Sequence, residues 1–398
     1  MKIYKRTKYI EQITPYIGKP LVKVLVGQRR VGKSILMQTI ANELMAEGKQ
    51  LIYIDKESYE YDAITDYKSL NEYITTHVNS KQAAILIDEV QEIKEFEKSL
   101  RHFYKNPDFD IYITGSNANL LSGELATLLS GRFVEIEIYP LDYREFLEIN
   151  GLENTELSLQ KYLQFGGLPG LSILPNDPRV QREYLQNIYN SILYRDIIKR
   201  NQIRNVVFLE NLIQYTADNV GSQLSAKKIS DYLKSQKIQV SINTVIDYLT
   251  FLSEAFIIRK VKRQDIKGKK IFEVGEKYYF EDLGLRNIIA GFAPGDIQKV
   301  YENVVFNHLK SNGYEVKTGA LESREIDFIA TKHGETTYFQ VAYLLNESST
   351  MEREFGNLLL IDDNYPKYVI SHNALPAANT YKGIQHLSLQ QFLFDFRN

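Results

Sequence analysis

Continuous apolar runs alternate with helical spacing over residues 1 to about 150. Leu21–Gly27, Leu51–Asp55, Ala83–Asp88, Asp110–Gly115 and Phe133–Ile138 read as strands. After the first, Ile35, Met37, Ile40, Leu44 and Met45 repeat with helical period, and Gly48 supplies a C-terminal cap. Unbroken apolar strands separated by helices predict a parallel sheet covered on both faces. From about 151 to 221 the pattern is mostly helical. Two short helices then follow Ser225 and Ser241, which are suited to N-caps. The second has a predicted core face of Ile242, Val245, Ile246, Leu249 and Leu252, leaving Asn243, Thr244, Asp247 and Tyr248 exposed. A strand–turn–strand over Phe256–Val274 completes the order of a winged helix. From about 297 a helix, three strands (about 314–319, 325–331 and 337–343), a helix near 351–360 and the strand Lys367–Ser371 predict a small α/β domain. The predicted fold class is α/β, divided at 1–150, 151–221, 222–290 and 291–398.

The length of 398 residues suits two or three domains. The net charge of -2 means that any nucleic-acid contact must come from a local patch. With no cysteine there are no disulfides, thiolate metal sites or cysteine nucleophiles, which is compatible with a reducing cytoplasm. No apolar run approaches the roughly 20 residues of a membrane span, and the basic start lacks the apolar core of a signal peptide. The expectation is a cytoplasmic protein with no membrane partner.

The first strand runs into Gly27-x-x-x-x-Gly32-Lys33-Ser34 and a helix follows, which is the context a phosphate-binding loop requires. Backbone N–H groups of Gly27, Gln28, Arg29, Arg30, Val31, Gly32, Lys33, Ser34 and Ile35 would wrap the phosphates of ATP, aided by the helix N-terminus. Lys33 would reach the β and γ oxygens, and Ser34 would hold Mg²⁺. Asp88 ends an apolar strand and is the expected second metal-holding group, with Glu89 placed to polarise the attacking water. Ser116 and Asn117 end a third strand and are candidates to contact the γ-phosphate or position water. Arg132 is a candidate to stabilise transition-state charge, in cis or from a neighbouring subunit, so an oligomer is allowed.

The order "GQRRVGKS", "ILIDEVQ", "ITGSNANLLSG", "GRFVEIEIYPLDYREFL" resembles bacterial and archaeal AAA+-type ATPases with a C-terminal DUF4143 region. The segments "YLQFGGLPG" and "LYRDIIKR" extend the resemblance over nearly the whole chain. It implies a P-loop nucleotide-binding domain, a helical lid, a winged helix and a restriction-endonuclease-like terminal domain.

The predicted wing carries Arg259, Lys260, Lys262, Arg263, Lys267, Lys269 and Lys270 against Asp265. It is a candidate DNA-phosphate contact, whereas the preceding helix offers no basic residue for base contacts. The alternative is packing against the ATPase domain or a partner protein, with the basic hairpin solvated. In the terminal domain, Glu302 on a helix and Asp327 on a strand fit the first two positions of a metal-dependent nuclease site. Gln340 stands where a carboxylate is expected and Ala342 where a lysine is expected. Lys317 and Lys332 are nearby in sequence, but nothing directs them to the site. A degenerate nuclease is the expectation. The leading reading is an Mg²⁺-dependent ATPase. The alternatives are a nucleotide-gated DNA- or protein-binding module with negligible turnover, and an ATP-gated nuclease.

Overall fold

Complete burial of the strand Val22–Val26 and of the strand Ala83–Asp88 explains why the first layer forms as it does. Strands with no solvent face need helices on both sides. The computed structural model describes residues 4–80, 82–121, 129, 131–235, 238–268, 275–345, 348–373 and 380–396. It divides into two compact units. One comprises Met1–Tyr139 with Glu254–Phe256, and the other Pro140–Ser253 with Ile257–Asn398.

In the first unit, β1 (Val22–Val26), β2 (Gln50–Asp55), β3 (Ala83–Asp88), β4 (Phe109–Gly115) and β5 (Phe133–Glu137) form a parallel sheet in the order β2-β3-β4-β1-β5. The connecting helices include α1 (Thr7–Ile13), α2 (Lys33–Ala46), α3 (Tyr67–His77) and α4 (Phe96–Phe103). Helix α3 starts with a capping box between Asp66 and Ser69. The core packs Val24, Ile54, Ile87 and Ile113 with Leu70 and Leu100. Phe256, from far along the chain, is 1% exposed in the same core. At the N-terminal ends of the strands, buried Lys23 is paired with Asp110, which also accepts from Tyr112 Oη at 3.0 Å.

The second unit begins with helices Tyr143–Asn150, Glu156–Phe165, Pro178–Ser191 and Val206–Asp218. Its sheet has nine strands in the order β13-β14-β12-β11-β10-β9-β7-β8-β6. These are β6 (Gln223–Leu224), β7 (Ile258–Asp265), β8 (Glu276–Phe280), β9 (Glu315–Leu321), β10 (Arg324–Lys332), β11 (Glu335–Val341), β12 (Lys367–Ser371), β13 (Thr380–Tyr381) and β14 (Ile384–Ser388). β7 joins two parts of this sheet. Ile258–Lys262 pairs antiparallel with β8, and Arg263–Asp265 pairs parallel with β9.

The β7–β9 pairing joins strands of the segments placed in 222–290 and 291–398 in one sheet. Two expectations change. The strand returning from β7 is Glu276–Phe280; Ile271–Val274, expected there, lies outside the described residues. On the helix Ile242–Glu254, Tyr248 is buried beside Phe208, whereas Ile242 and Ile246 are 39% and 48% exposed. The inward stripe is Val245, Tyr248, Leu249 and Leu252, the three- and four-residue spacing of one helical face. Ser225 and Ser241 cap as expected, accepting from Lys228 N at 3.1 Å and Thr244 N at 3.0 Å.

Candidate functional site

The C-terminal ends of β1, β3 and β4 bring the first site together. Gly27 follows β1 at φ +152, and a Cβ there would collide with the Ile138 carbonyl. Gly32 takes φ +98 as the N-cap of α2, a left-handed position that favours glycine. Between them Val31 is fully buried and Arg30 adopts φ +71. The loop is tethered at both sides. Arg6 Nη1 donates to Val31 O at 3.1 Å and to Tyr139 O at 2.8 Å. Gln28 is fully buried, and its Nε2 donates to Phe256 O at 2.7 Å. Arg29 is buried and pairs with Glu57 at 2.7 Å.

Lys33 Nζ donates to Gly27 O at 2.9 Å and Gln28 O at 3.0 Å, and lies 3.9 Å from Glu89. Asp88 is buried and accepts from Thr114. Burial raises the Asp88 pKa above the ordinary aspartate value against the nearby Ser34 and Thr114 hydroxyls, and the Glu89 charge adds to the rise. Glu89 sits at φ +53, ψ +52, its N–H accepted by Thr114 Oγ1 at 2.9 Å. Its Oε2 accepts from Ser116 Oγ at 3.0 Å and from Gln91 Nε2. Burial alone would raise the Glu89 pKa, but Lys33 and Arg29 outweigh it and hold the carboxyl below the usual glutamate value. Glu89 is therefore an ionised carboxylate in a nearly dry setting, held at a fixed angle.

The other candidates separate. Ser116 stands in the site, against Glu89 rather than alone. Asn117 Oδ1 accepts from Asn119 N at 2.9 Å and so caps the turn Ala118–Leu121. Arg132 lies away from the loop. Its carbonyl accepts from Val22 N at the start of β1, and its guanidinium donates to Tyr104 Oη at 2.9 Å. At about 3.3 Å per residue, the length of β1 puts it roughly 20 Å from Gly27. It preceded a parallel strand in the sequence, which fixes it at the end opposite the phosphate loop. Arg6 and Gln91 complete the site without having been singled out. Gln91 sits two residues past Glu89, a local cue; Arg6 has none.

The predicted wing is largely paired. Arg259 forms a two-pronged ion pair with Glu281, one contact at 2.9 Å. Lys260 meets Glu276 at 2.6 Å and Lys267 meets Glu322 at 2.5 Å. Lys262 is exposed and Arg263 half-buried; Lys269 and Lys270 lie outside the described residues. In the terminal part, Glu302 and Gln340 are buried and Asp327 is half-buried. Lys317 pairs with Glu315 at 2.9 Å and Lys332 stands over the Tyr314 ring, so neither enters that cluster. The lysine that does is Lys277, 2.8 Å from Glu302.

Residues 19–147 match the family described as AAA domain (AAA_14). Residues 156–296 match a domain of unknown function (DUF8612), in place of the DUF4143 region that the resemblance implied. A solved structure, the Walker-type ATPase PABY2304 of Pyrococcus abyssi, superposes with a TM-score of 0.52 at 16% identity. It covers 72% of this chain and 96% of its own, which shows the shared fold. An uncharacterized protein of Methanocaldococcus jannaschii, MJ1544, is 29% identical over 376 residues, 89% of this chain and 82% of that one. An uncharacterized protein of Haemophilus influenzae is 38% identical over 375 residues, 92% of each chain. With that identity over nearly its whole length, the chain belongs to the family of the Haemophilus influenzae protein and carries a P-loop AAA domain at its N-terminal side.

Proposed function

We propose that the protein binds ATP with Mg²⁺ and hydrolyses it, and that nucleotide state repositions the winged-helix-like and terminal α/β parts. The observation that carries the reading is Glu89, ionised beside Lys33 and held by Ser116 and Gln91. Ser34 and Asp88 offer the oxygen donors that a hard cation takes, and would hold Mg²⁺. Bound there, Mg²⁺ would neutralise phosphate charge. Loop N–H groups and Lys33 bind the phosphates, and Glu89 accepts the proton of the attacking water. Gln28 links the loop to Phe256, whose chain neighbour Ile257 leads directly into β7. A rearranged loop would thus pull on the residues that begin the second sheet.

Phosphate release and nucleotide binding test this. Lys33→Ala should lose both. Glu89→Gln should keep ATP affinity and lose roughly 10²–10⁴-fold in turnover. Equal, non-zero rates in wild type and both variants would overturn the reading. Arg132 would act only from a neighbouring copy, so specific activity should rise with protein concentration and Arg132→Ala should abolish the rise.

A second reading, a partner-binding module, is favoured by a groove of about 520 Å³ lined by Leu224, Ile246, Leu249, Lys260 and Tyr278. Its apolar wall suits protein, and the paired wing weakens the case for DNA. DNA affinity that falls steeply between about 50 and 200 mM salt would restore the wing as a phosphate contact; no salt dependence removes it.

A further inference from the structure

The helix Ile297–Ser311 and strands β8 and β10 converge on one lysine. Lys277 Nζ lies 2.8 Å from Glu302 Oε1 and 2.5 Å from Glu325 Oε1, with 5% of its side chain exposed. Glu302 Oε1 also accepts from the Tyr279 hydroxyl. The second oxygen of Glu325 accepts from Gln223 Nε2 at 2.9 Å. Gly221, at φ +72, backs onto Glu302 so closely that a Cβ would stand 3.0 Å from Oε1. Asp327 faces the same cluster, and its Oδ2 accepts from Val341 N at 2.8 Å. Burial would strip the proton from Lys277, but Glu302, Asp327 and Glu325 outweigh it and raise its pKa above the ordinary lysine value.

The endonuclease-like resemblance implies a divalent metal between Glu302 and Asp327. The residues present do not fit one. An ammonium stands against Glu302. Gln340 is engaged at both ends: its Oε1 accepts from Asp327 N at 2.7 Å, and its Nε2 donates to Glu354 at 2.8 Å. Only an amide can do both, since a glutamate at 340 would meet Glu354 charge to charge. Among the described residues no three His, Cys, Asp or Glu side chains are grouped to hold a metal.

We infer that Lys277 is the resident cation of this acidic cluster. It takes the place of a metal ion and locks β8 to the helix Ile297–Ser311 and to β10. The cluster is an ionic joint within the nine-stranded sheet, and it neither binds Mg²⁺ or Mn²⁺ nor cleaves phosphodiesters. This holds whether or not the first unit hydrolyses ATP.

Thermal melting of the full chain, with and without Mn²⁺, tests the joint. Lys277→Met should lower the melting temperature by roughly 5–15 °C. A melting temperature unchanged in Lys277→Met overturns the inference. Should that variant fail to fold, the Glu302→Gln/Glu325→Gln protein, which leaves the lysine unpaired, is compared with the triple variant Lys277→Met/Glu302→Gln/Glu325→Gln. The triple variant should melt higher, and the reverse order overturns the joint. Any Mn²⁺ stabilisation of wild type should survive in Asp327→Asn. A stabilisation lost in Asp327→Asn but kept in Asp88→Asn would place a metal in the cluster and also overturn the proposal.

Discussion

Lys33 and Lys277 each sit against a buried glutamate, and they do opposite things. Lys33 donates to backbone carbonyls of its own loop and keeps 3.9 Å from Glu89. Lys277 is clamped at 2.5 and 2.8 Å between two glutamates. The first is a charge beside a carboxylate, and an incoming anion can exchange for the carbonyls it touches. The second has its donors committed to fixed acids of the fold. The chemistry of the two side chains is identical, so the difference comes from what the backbone places around each. A glycine-rich loop presents N–H and C=O groups, while a sheet and helix present carboxylates.

The sharpest way to break this comparison is to exchange the losses. Glu89→Gln and Lys33→Ala should cost activity with little change in the unfolding midpoint. Lys277→Met should cost about 3–5 kcal/mol of stability, the range for breaking a buried pair, and leave ATP affinity unchanged. Denaturant titration beside nucleotide binding reads both axes, and a Lys277→Met protein that is stable but cannot bind ATP would erase the distinction.

A smaller effect comes from a buried acid with no lysine at all. Asp282 caps the helix Leu283–Ala290, accepting from Gly167 N at 2.7 Å and Leu285 N at 3.0 Å. Burial outweighs these backbone donors and pushes its carboxyl up to about 6. The folded state therefore holds this proton when the unfolded chain has lost it. Its contribution is full below the ordinary aspartate value and is lost as pH rises through about 6. The stability deficit of Asp282→Asn relative to wild type should be larger at pH 4 than at pH 7, by about 2–3 kcal/mol. A deficit independent of pH would mean that the backbone N–H groups suffice to keep the acid charged.

The phosphate loop and Asp88–Glu89 were legible because their signal is local. Glycine spacing, one lysine and an acid at a strand end sit within short windows. The parallel sheet was legible for the same reason, since whole-strand burial leaves unbroken apolar runs. Arg132 precedes a parallel strand, a position that assigns it, within its own copy, to the end of the sheet opposite the phosphate loop. Lys277 was invisible. Its partners Glu302 and Glu325 lie 25 and 48 residues further on, counting from 277, and the register that unites them depends on β7 pairing with β9. Ala342 leaves the returning strand without a lysine at that position, and the lysine that meets Glu302 arrives from β8.

Phe256 has a practical consequence. The N-terminal unit is not a contiguous stretch of polypeptide, because Glu254–Phe256 completes it from beyond residue 250. A fragment ending near residue 150 would lack the ring that fills its core and leave the Gln28 amide with no acceptor at Phe256. Such a fragment should express as an aggregation-prone species, and a peptide spanning this turn, supplied in trans, should partly rescue its solubility. Domain swapping between relatives should respect the same seam, carrying residue 28 and residue 256 together.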